Sequence, residues 1–335
     1  MTISSDRPIR WGILGTGRIA HHFANGLKAV PDAELLAVGS RAQESADAFG
    51  DEFGVERRYG SYQDLAADAD LDAIYVSTPH QDHKASTLLC LAAGRNVLCE
   101  KPFAINAGEA REMVESARAK NLFLMEAMWT RFRPTMVKVR ELIDSGAVGE
   151  PRFVSANIGW MSTYDPVFRL YNPELGGGAL LDGGVYPVSF ASMVLGTPSA
   201  IASVATLGQS GVDEQEAIAL LHPSGAVASI GMTIQASSVN LAQIVGTKGR
   251  IEIHHDWHRP EGLTYYPAGG ERQEFLYPQT EGNGYQYEAI EVGRCLREGL
   301  LESPVMPLDE TISIMETMDT LRGQWGVRYP MESAL

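Results

Sequence analysis

From Ile9 to about Glu126, short apolar runs alternate with longer amphipathic stretches, the pattern of repeated βαβ units and a parallel sheet. Strands are expected at Ile9–Leu14, Leu35–Ser40, Ala73–Ser77, Asn96–Cys99 and Leu122–Met125. Ser61 with Asp64 and Asn106 with Glu109 read as capping boxes, while Gly54 and Gly94 suit the left-handed position that ends a helix. After a helical stretch over Pro134–Ser145, the Gly146–Pro151 segment marks a break. Beyond it lie period-two or continuous apolar runs at Arg152–Gly159, Ala200–Leu207, Ala217–Leu221, Val227–Thr233, Ala242–Val245, Arg250–His254 and Gly262–Tyr266. Strands in succession without helices between them predict a largely antiparallel sheet. Helices are expected over Ala179–Leu195, Tyr285–Gly299 and Leu308–Trp325.

The length of 335 residues allows about two domains. With 44% hydrophobic and 21% charged residues the chain lies outside the disordered regime. Lys and Arg number 27 against 42 Asp and Glu, a net −15 that repels nucleic acid and anionic membrane surfaces. A bound anion must therefore be held by local donors. Three cysteines without CxxC spacing fit a reducing compartment. Met1–Pro8 has no apolar leader segment, and no run of 18 apolar residues follows, so a soluble cytoplasmic protein is expected.

Such local donors are predicted at the first strand–helix turn. Gly15-Thr16-Gly17-Arg18-Ile19-Ala20 has the GxGxxG/A form directly after a strand, the context in which it binds a dinucleotide. Gly15 allows the turn, Gly17 lets the backbone approach a pyrophosphate, and Ala20 lets the helix pack close to the sheet. Free N–H groups at the helix start hold the phosphates. The second strand ends in Ser40-Arg41 rather than in an acid, which predicts NADP in preference to NAD, NAD remaining possible.

At later strand ends, on the ligand-binding side of such a sheet, come Thr78-Pro79-His80-Gln81-Asp82-His83 and Glu100-Lys101-Pro102. Thr78, Pro79, His83, Glu100 and Lys101 are thereby cofactor candidates, with His80 packing or hydrogen bonding nearby. Spacing alone leaves Lys101 evenly divided between a site lysine and an exposed lysine before a proline turn. Neither the His80/His83 pair nor His254, His255 and His258, read as an exposed strand edge, makes a metal set. Further along, a triple-glycine loop read as flexible leads into Ala179–Tyr186. A helix from Ala179 puts Asp182 and Tyr186 at i and i+4 on one face. A surface Asp above a core Tyr fits that spacing equally.

In combination, Gly15–Ala20, Glu100-Lys101-Pro102 and Gly176–Tyr186 resemble the glucose–fructose oxidoreductase/inositol dehydrogenase (Gfo/Idh/MocA) family over nearly the whole chain. Glu126–Phe132, Tyr186 and the Tyr285–Pro330 pattern are most similar to the branch acting on trans-dihydrodiols and D-xylose. The resemblance implies an α/β chain: an N-terminal NADP-binding Rossmann domain, residues 1–128, and a C-terminal α+β domain, residues 129–335. The second would carry an open-faced, largely antiparallel sheet for substrate binding and oligomerisation, with substrate in the cleft between the domains. Lys101 matches the Glu-Lys-Pro lysine, and Asp182 and Tyr186 the Asp-x-x-x-His/Tyr pair. His80 in place of Asn and Tyr186 in place of His depart from the inositol type.

The resemblance thus implies an NADP-dependent dehydrogenase or reductase acting on a CH–OH or C=O group of a sugar or cyclic diol. Free Tyr and Lys titrate at about 10 and 10.4. An ammonium and an oxidised nicotinamide nearby would draw a phenol down toward neutrality. Tyr186 is thus expected to exchange the proton, Lys101 to tune it and bind the substrate oxygen, and Asp182 to orient them, with the first two roles exchangeable. Trp129, Trp160 and Phe168 are candidates to line the pocket, and Arg169 to reach cofactor or substrate, or else solvent. An NAD-dependent glycosidase using transient oxidation and an idle NADP-binding regulator are the competing readings. A homodimer or higher homo-oligomer is expected from the sheet face.

Overall fold

The structure, a computed structural model, describes residue 3 and residues 6–332. The Met1–Pro8 stretch read for a leader lies partly outside the described residues. The chain forms two compact units, one of residues 1–132 with 279–311, the other of residues 133–278 with 312–335.

The first unit is wound from β1 (Ile9–Leu14), α1 (Arg18–Leu27), β2 (Ala33–Gly39), α2 (Gln43–Phe53), β3 (Arg57–Tyr59), α3 (Tyr62–Ala67), β4 (Ala73–Val76), α4 (His83–Ala92), β5 (Asn96–Glu100), α5 (Ala107–Lys120) and β6 (Leu124–Ala127). All pairings are parallel, in the order β3-β2-β1-β4-β5-β6. This is the doubly wound arrangement whose strand order reverses beside β1. β4 is buried along its whole length, as a parallel strand covered on both faces requires. The caps form as expected: Ser61 accepts from the Asp64 N–H at 3.1 Å and Asn106 from the Glu109 N–H at 2.9 Å. Gly54 and Gly94 take φ of 72° and 77°. The short β3 escapes the hydrophobic pattern because its residues are Arg57, Arg58 and Tyr59.

The second unit begins with α6 (Pro134–Asp144) and β7 (Pro151–Gly159), followed by α7 (Val185–Leu195). Then come β8 (Ala200–Leu207), β9 (Asp213–Leu221), β10 (Val227–Thr233), β11 (Ala242–Gly246), β12 (Gly249–Ile253), β13 (Gly262–Pro267) and β14 (Gln273–Leu276). The sheet order is β14-β13-β12-β11-β7-β10-β9-β8, antiparallel except for β10 beside β7. One face is covered: along β9, Glu216, Ile218 and Leu220 are buried while Ala217, Ala219 and Leu221 are exposed. Across the other face runs a cavity of about 420 Å³ lined by Val204, Gln215, Ala217 and Gly231 among others. β9 starts four residues before the expected Ala217, and the edge strand β14 has no counterpart among the expected runs. The stretch Pro173–Leu195, helical except at its three glycines, is long and apolar enough to cross a bilayer, yet 83% of its window is buried in the protein, as in a core helix.

The last two helices are α8 (Gln286–Glu298) and α9 (Leu308–Trp325). A single division after residue 128 would place α8 in the second domain. Its contacts instead put it in the first unit, where Val292 is fully buried and Arg297 bonds Asp32 and the Arg7 carbonyl. Sequence continuity gave no sign of this return, because the packing partners lie some 260 residues away.

Candidate active site

The nucleotide half is set by the end of β1. Gly15 has φ of 101°, and a Cβ there would press within 3.1 Å of the Ser77 carbonyl, so only glycine fits the turn. A Cβ on Gly17 would meet no protein atom within 4 Å, so packing inside the chain does not demand glycine there. Gly17 caps α1 with no side-chain bond, which leaves the amides of Arg18 and Ile19 without a side-chain cap. Thr78, after β4, is buried with no partner for its Oγ1. These features fit a dinucleotide. Ser40 follows β2 with its Oγ 3.4 Å from Thr16 Oγ1, and Arg41 stands exposed beside it. The Tyr62 phenol, which the sequence did not single out, lies near Arg41; burial pushes its pKa up while the Arg41 charge opposes the rise.

The His83 ring lies between two carbonyls, Nδ1 2.8 Å from that of Pro102 and Nε2 2.9 Å from that of Thr78, and the neutral ring donates its one N–H to one of them. With 1% of it exposed, His83 staples two loops of the site and offers neither nitrogen to a cofactor. Burial lowers its pKa, against the two carbonyls, which raise it. His80 packs edge-on to it, the rings 5.7 Å apart. Lys101 leaves β5 half-buried, its backbone N–H donated to Glu100 Oε2 at 3.1 Å. Glu100 is itself buried, and its Oε1 accepts the Tyr75 phenol. Glu100 thus faces inward and anchors the lysine's backbone. Close by, Glu288 of α8 is fully buried with neither oxygen hydrogen-bonded; burial and the Glu100 charge push its carboxyl well above the ordinary range. Trp129 is stacked on Tyr285, centroids 4.6 Å apart and planes at 8°, so one face of its ring is already covered. Tyr285, part of the C-terminal pattern that carries the resemblance, was not singled out as a site residue.

In the second unit the segment after the glycines differs from the regular helix expected. Residues Leu180–Gly184 form a π-turn, and α7 begins only at Val185. Asp182 therefore sits on a widened turn, of the kind often found at functional sites, and Tyr186 on the regular helix below it. Both are buried, at 8% and 9% exposure. The triple glycine is packed rather than flexible. A Cβ on Gly177 would come within 2.7 to 2.9 Å of the carbonyls of Arg169, Leu170 and Asn172, and Tyr329 donates its phenol to the Gly177 carbonyl at 2.6 Å.

Around this turn, Arg169 grips Asp182 with both guanidinium nitrogens, 2.8 Å to Oδ1 and 3.3 Å to Oδ2. Arg169 is thus a partner of Asp182. The Trp160 ring lies against the π-turn, where a Cβ on Gly183 would come within 2.8 Å of it. Phe168 is 44% exposed on the preceding loop, beside Val167. The Tyr186 ring lies 5.8 Å from that of His258, which is half-buried there rather than part of an exposed edge. His255 alone of the three histidines is well exposed.

Residues 9–128 match the family model described as an oxidoreductase family with an NAD-binding Rossmann fold, and residues 136–252 match the GFO/IDH/MocA C-terminal domain. The chain is 39% identical over 335 residues to trans-1,2-dihydrobenzene-1,2-diol dehydrogenase of Mus musculus, covering 97% of this chain and 99% of that one. To the Homo sapiens protein of the same name it is 38% identical with the same coverage. Among solved structures it resembles a 3-ketoreductase from Actinomadura kijaniata in complex with NADP and TDP-benzene: TM-score 0.82, 26% identity, 95% of this chain and 98% of that one. An aldose–aldose oxidoreductase from Caulobacter crescentus shares the fold at TM-score 0.87 and 24% identity, over 96% and 98% of the two chains. The chain belongs to the Gfo/Idh/MocA oxidoreductases and is an NAD(P)-dependent dehydrogenase or reductase of that family.

Proposed function

We propose that the protein uses NADP to oxidise a CH–OH group of a cyclic diol or a sugar, or to reduce the corresponding carbonyl. The observation that carries the substrate class is full-length identity of 38–39% to trans-dihydrodiol dehydrogenases. The ketoreductase and aldose oxidoreductase folds extend it to sugars. NADP rather than NAD is supported by Arg41, with Ser40, Thr16 and Tyr62 around it and no acid at the end of β2. Phosphate would be held by the backbone of Gly15, Thr16, Gly17, Arg18 and Ile19, and Thr78 and Pro79 would border the nicotinamide end. When bound, the nicotinamide supplies a hydride acceptor or donor at C4.

The chain's own residues supply the proton chemistry. Tyr186 exchanges the hydroxyl proton at its phenol oxygen, and the Lys101 ammonium binds the substrate oxygen and favours the phenolate. Asp182, fixed by Arg169, orients the substrate hydroxyls. Trp129, Trp160 and Phe168 offer flat apolar faces suited to a cyclohexadiene or to the C–H face of a sugar. Residues 1–128 would serve the cofactor and 129–335 the substrate and self-association, with α8 returning to the first. Homo-oligomerisation is supported by the exposed sheet face with Val204 and Leu221, and a cytoplasmic location by three buried, unpaired cysteines.

Tyr186→Phe should lower kcat about 100-fold or more and abolish the ionisation that governs the pH–rate profile, with Lys101→Met shifting it. The assay is NADP reduction with dihydrodiols, pentoses and hexoses. Near-normal turnover by Tyr186→Phe would remove the phenol from the chemistry.

A further inference from the structure

The start of a helix leaves amides without intrahelical acceptors, and a side chain just before it ordinarily supplies one. Here the three residues before Ala179 are Gly176, Gly177 and Gly178, which have no side chain to offer. The acceptor comes from β9 instead. Asp213, completely buried at the first position of that strand, accepts the Leu180 N–H on Oδ2 at 2.6 Å, across 33 residues of chain. Gly178 has φ of 116°, and a Cβ there would overlap Asp213 Oδ1. The third glycine is thus the space the carboxylate occupies. Leu180 is also the first residue of the π-turn, so the bond is made where the turn's register is set, two residues before Asp182.

We propose that Asp213 is a positioning residue for the reaction: by holding the Leu180 N–H it fixes where the π-turn begins, and so the directions in which Asp182 and Tyr186 project. As far as catalysis is concerned, this rests on the roles given above to those two residues. Gly178 is the permissive half of the device and Asp213 the active half.

The test uses the full-length protein with Asp213→Ala, Asp213→Asn and Gly178→Ala. Asp213→Ala should lower kcat about 10- to 100-fold, the scale of a misplacement near 1 Å, with the NADP Kd unchanged. Amide hydrogen exchange over Leu180–Gly184 should rise, while exchange in the first unit stays as it was. Asp213→Asn keeps an oxygen acceptor and should recover most of the turnover. Gly178→Ala should reproduce the alanine defect with the carboxylate intact.

Full turnover with unchanged exchange in Asp213→Ala would overturn the proposal, as would an Asn variant no better than Ala. A loss of NADP binding in parallel with turnover would also overturn it. Should the alanine variant not fold, Asp213→Ser, too short to reach Leu180, carries the same readouts. Tyr186→Phe separates the two ideas. If it retains turnover while Asp213→Ala loosens Leu180–Gly184, the phenol's role fails and the positioning stands; if it is impaired while Asp213→Ala is normal, the positioning fails.

Discussion

At the scale of single residues, the Arg169 guanidinium holds Asp182 through both carboxylate oxygens, at 2.8 and 3.3 Å. Lys101, Asp182 and Tyr186 stand out in the sequence because their types and neighbours suit proton transfer. That Asp182 is gripped by Arg169, Trp129 covered by Tyr285 and Tyr186 flanked by His258 depends on long-range packing that no spacing encodes. His83 is the instructive case: a histidine between two site motifs looked like a cofactor ligand, and both its nitrogens turn out to face backbone carbonyls. Arg41 is the residue whose role is most directly testable. Its guanidinium suits a phosphate, and it stands exposed near the Tyr62 phenol. Arg41→Ala should raise the NADP Kd about 10- to 100-fold and leave the NAD Kd within about twofold, by fluorescence titration. Equal changes for both dinucleotides would contradict the assignment.

At the scale of elements, packing decides what propensity cannot. Gly26 lies inside α1, where alanine would ordinarily stabilise a helix by about 0.5–1 kcal/mol. A Cβ there would come within 3.0 Å of Asn283 Oδ1, the Gln286 N and Tyr285 Cβ, two of them rigid. Gly26→Ala should therefore lower stability, by about 1–3 kcal/mol, because α8 cannot retreat without unstacking Tyr285 from Trp129. A melting temperature higher than that of the wild type would show the glycine to be incidental. β1 and β10 were readable to the residue, since burial writes their period into the sequence, and so was β8, a long edge strand that buries no residue but alternates half-buried and exposed positions along most of its length. β3 and β14 were not, being short edges with little to bury. The π-turn was invisible because it shares its composition with an ordinary helix and differs only in hydrogen-bond register.

For the whole molecule, the interior holds an uncommon number of acids. Burial pushes Glu126 up to about 7 and Asp213 to about 6, and Glu216 and Glu288 well above the ordinary range. Such groups bind protons more tightly folded than unfolded, where values lie near about 4. The stability they contribute is complete below about pH 4 and is lost as pH rises through the folded values. Asp68, Asp72, Asp256 and Glu291 act oppositely: burial pushes them up, but bonds from Arg57, Arg7, Arg259 and Arg294 outweigh it, and their contribution is lost as pH falls through the depressed values. Stability should therefore peak between about pH 4 and 6 and decline toward pH 8, as calorimetry across that range would show. A Tm that climbs from pH 6 to 8 would refute this.

The return of residues 279–311 to the first unit sets an order on biosynthesis. When the ribosome has finished the sixth strand of the nucleotide sheet, the helix that supplies Glu288 and Val292 to that unit's interior is still untranslated. The nascent nucleotide module must wait, with a groove of its own core open, while the entire second sheet is made. A gene fragment ending at the sequence boundary of the first module would inherit that open groove for good.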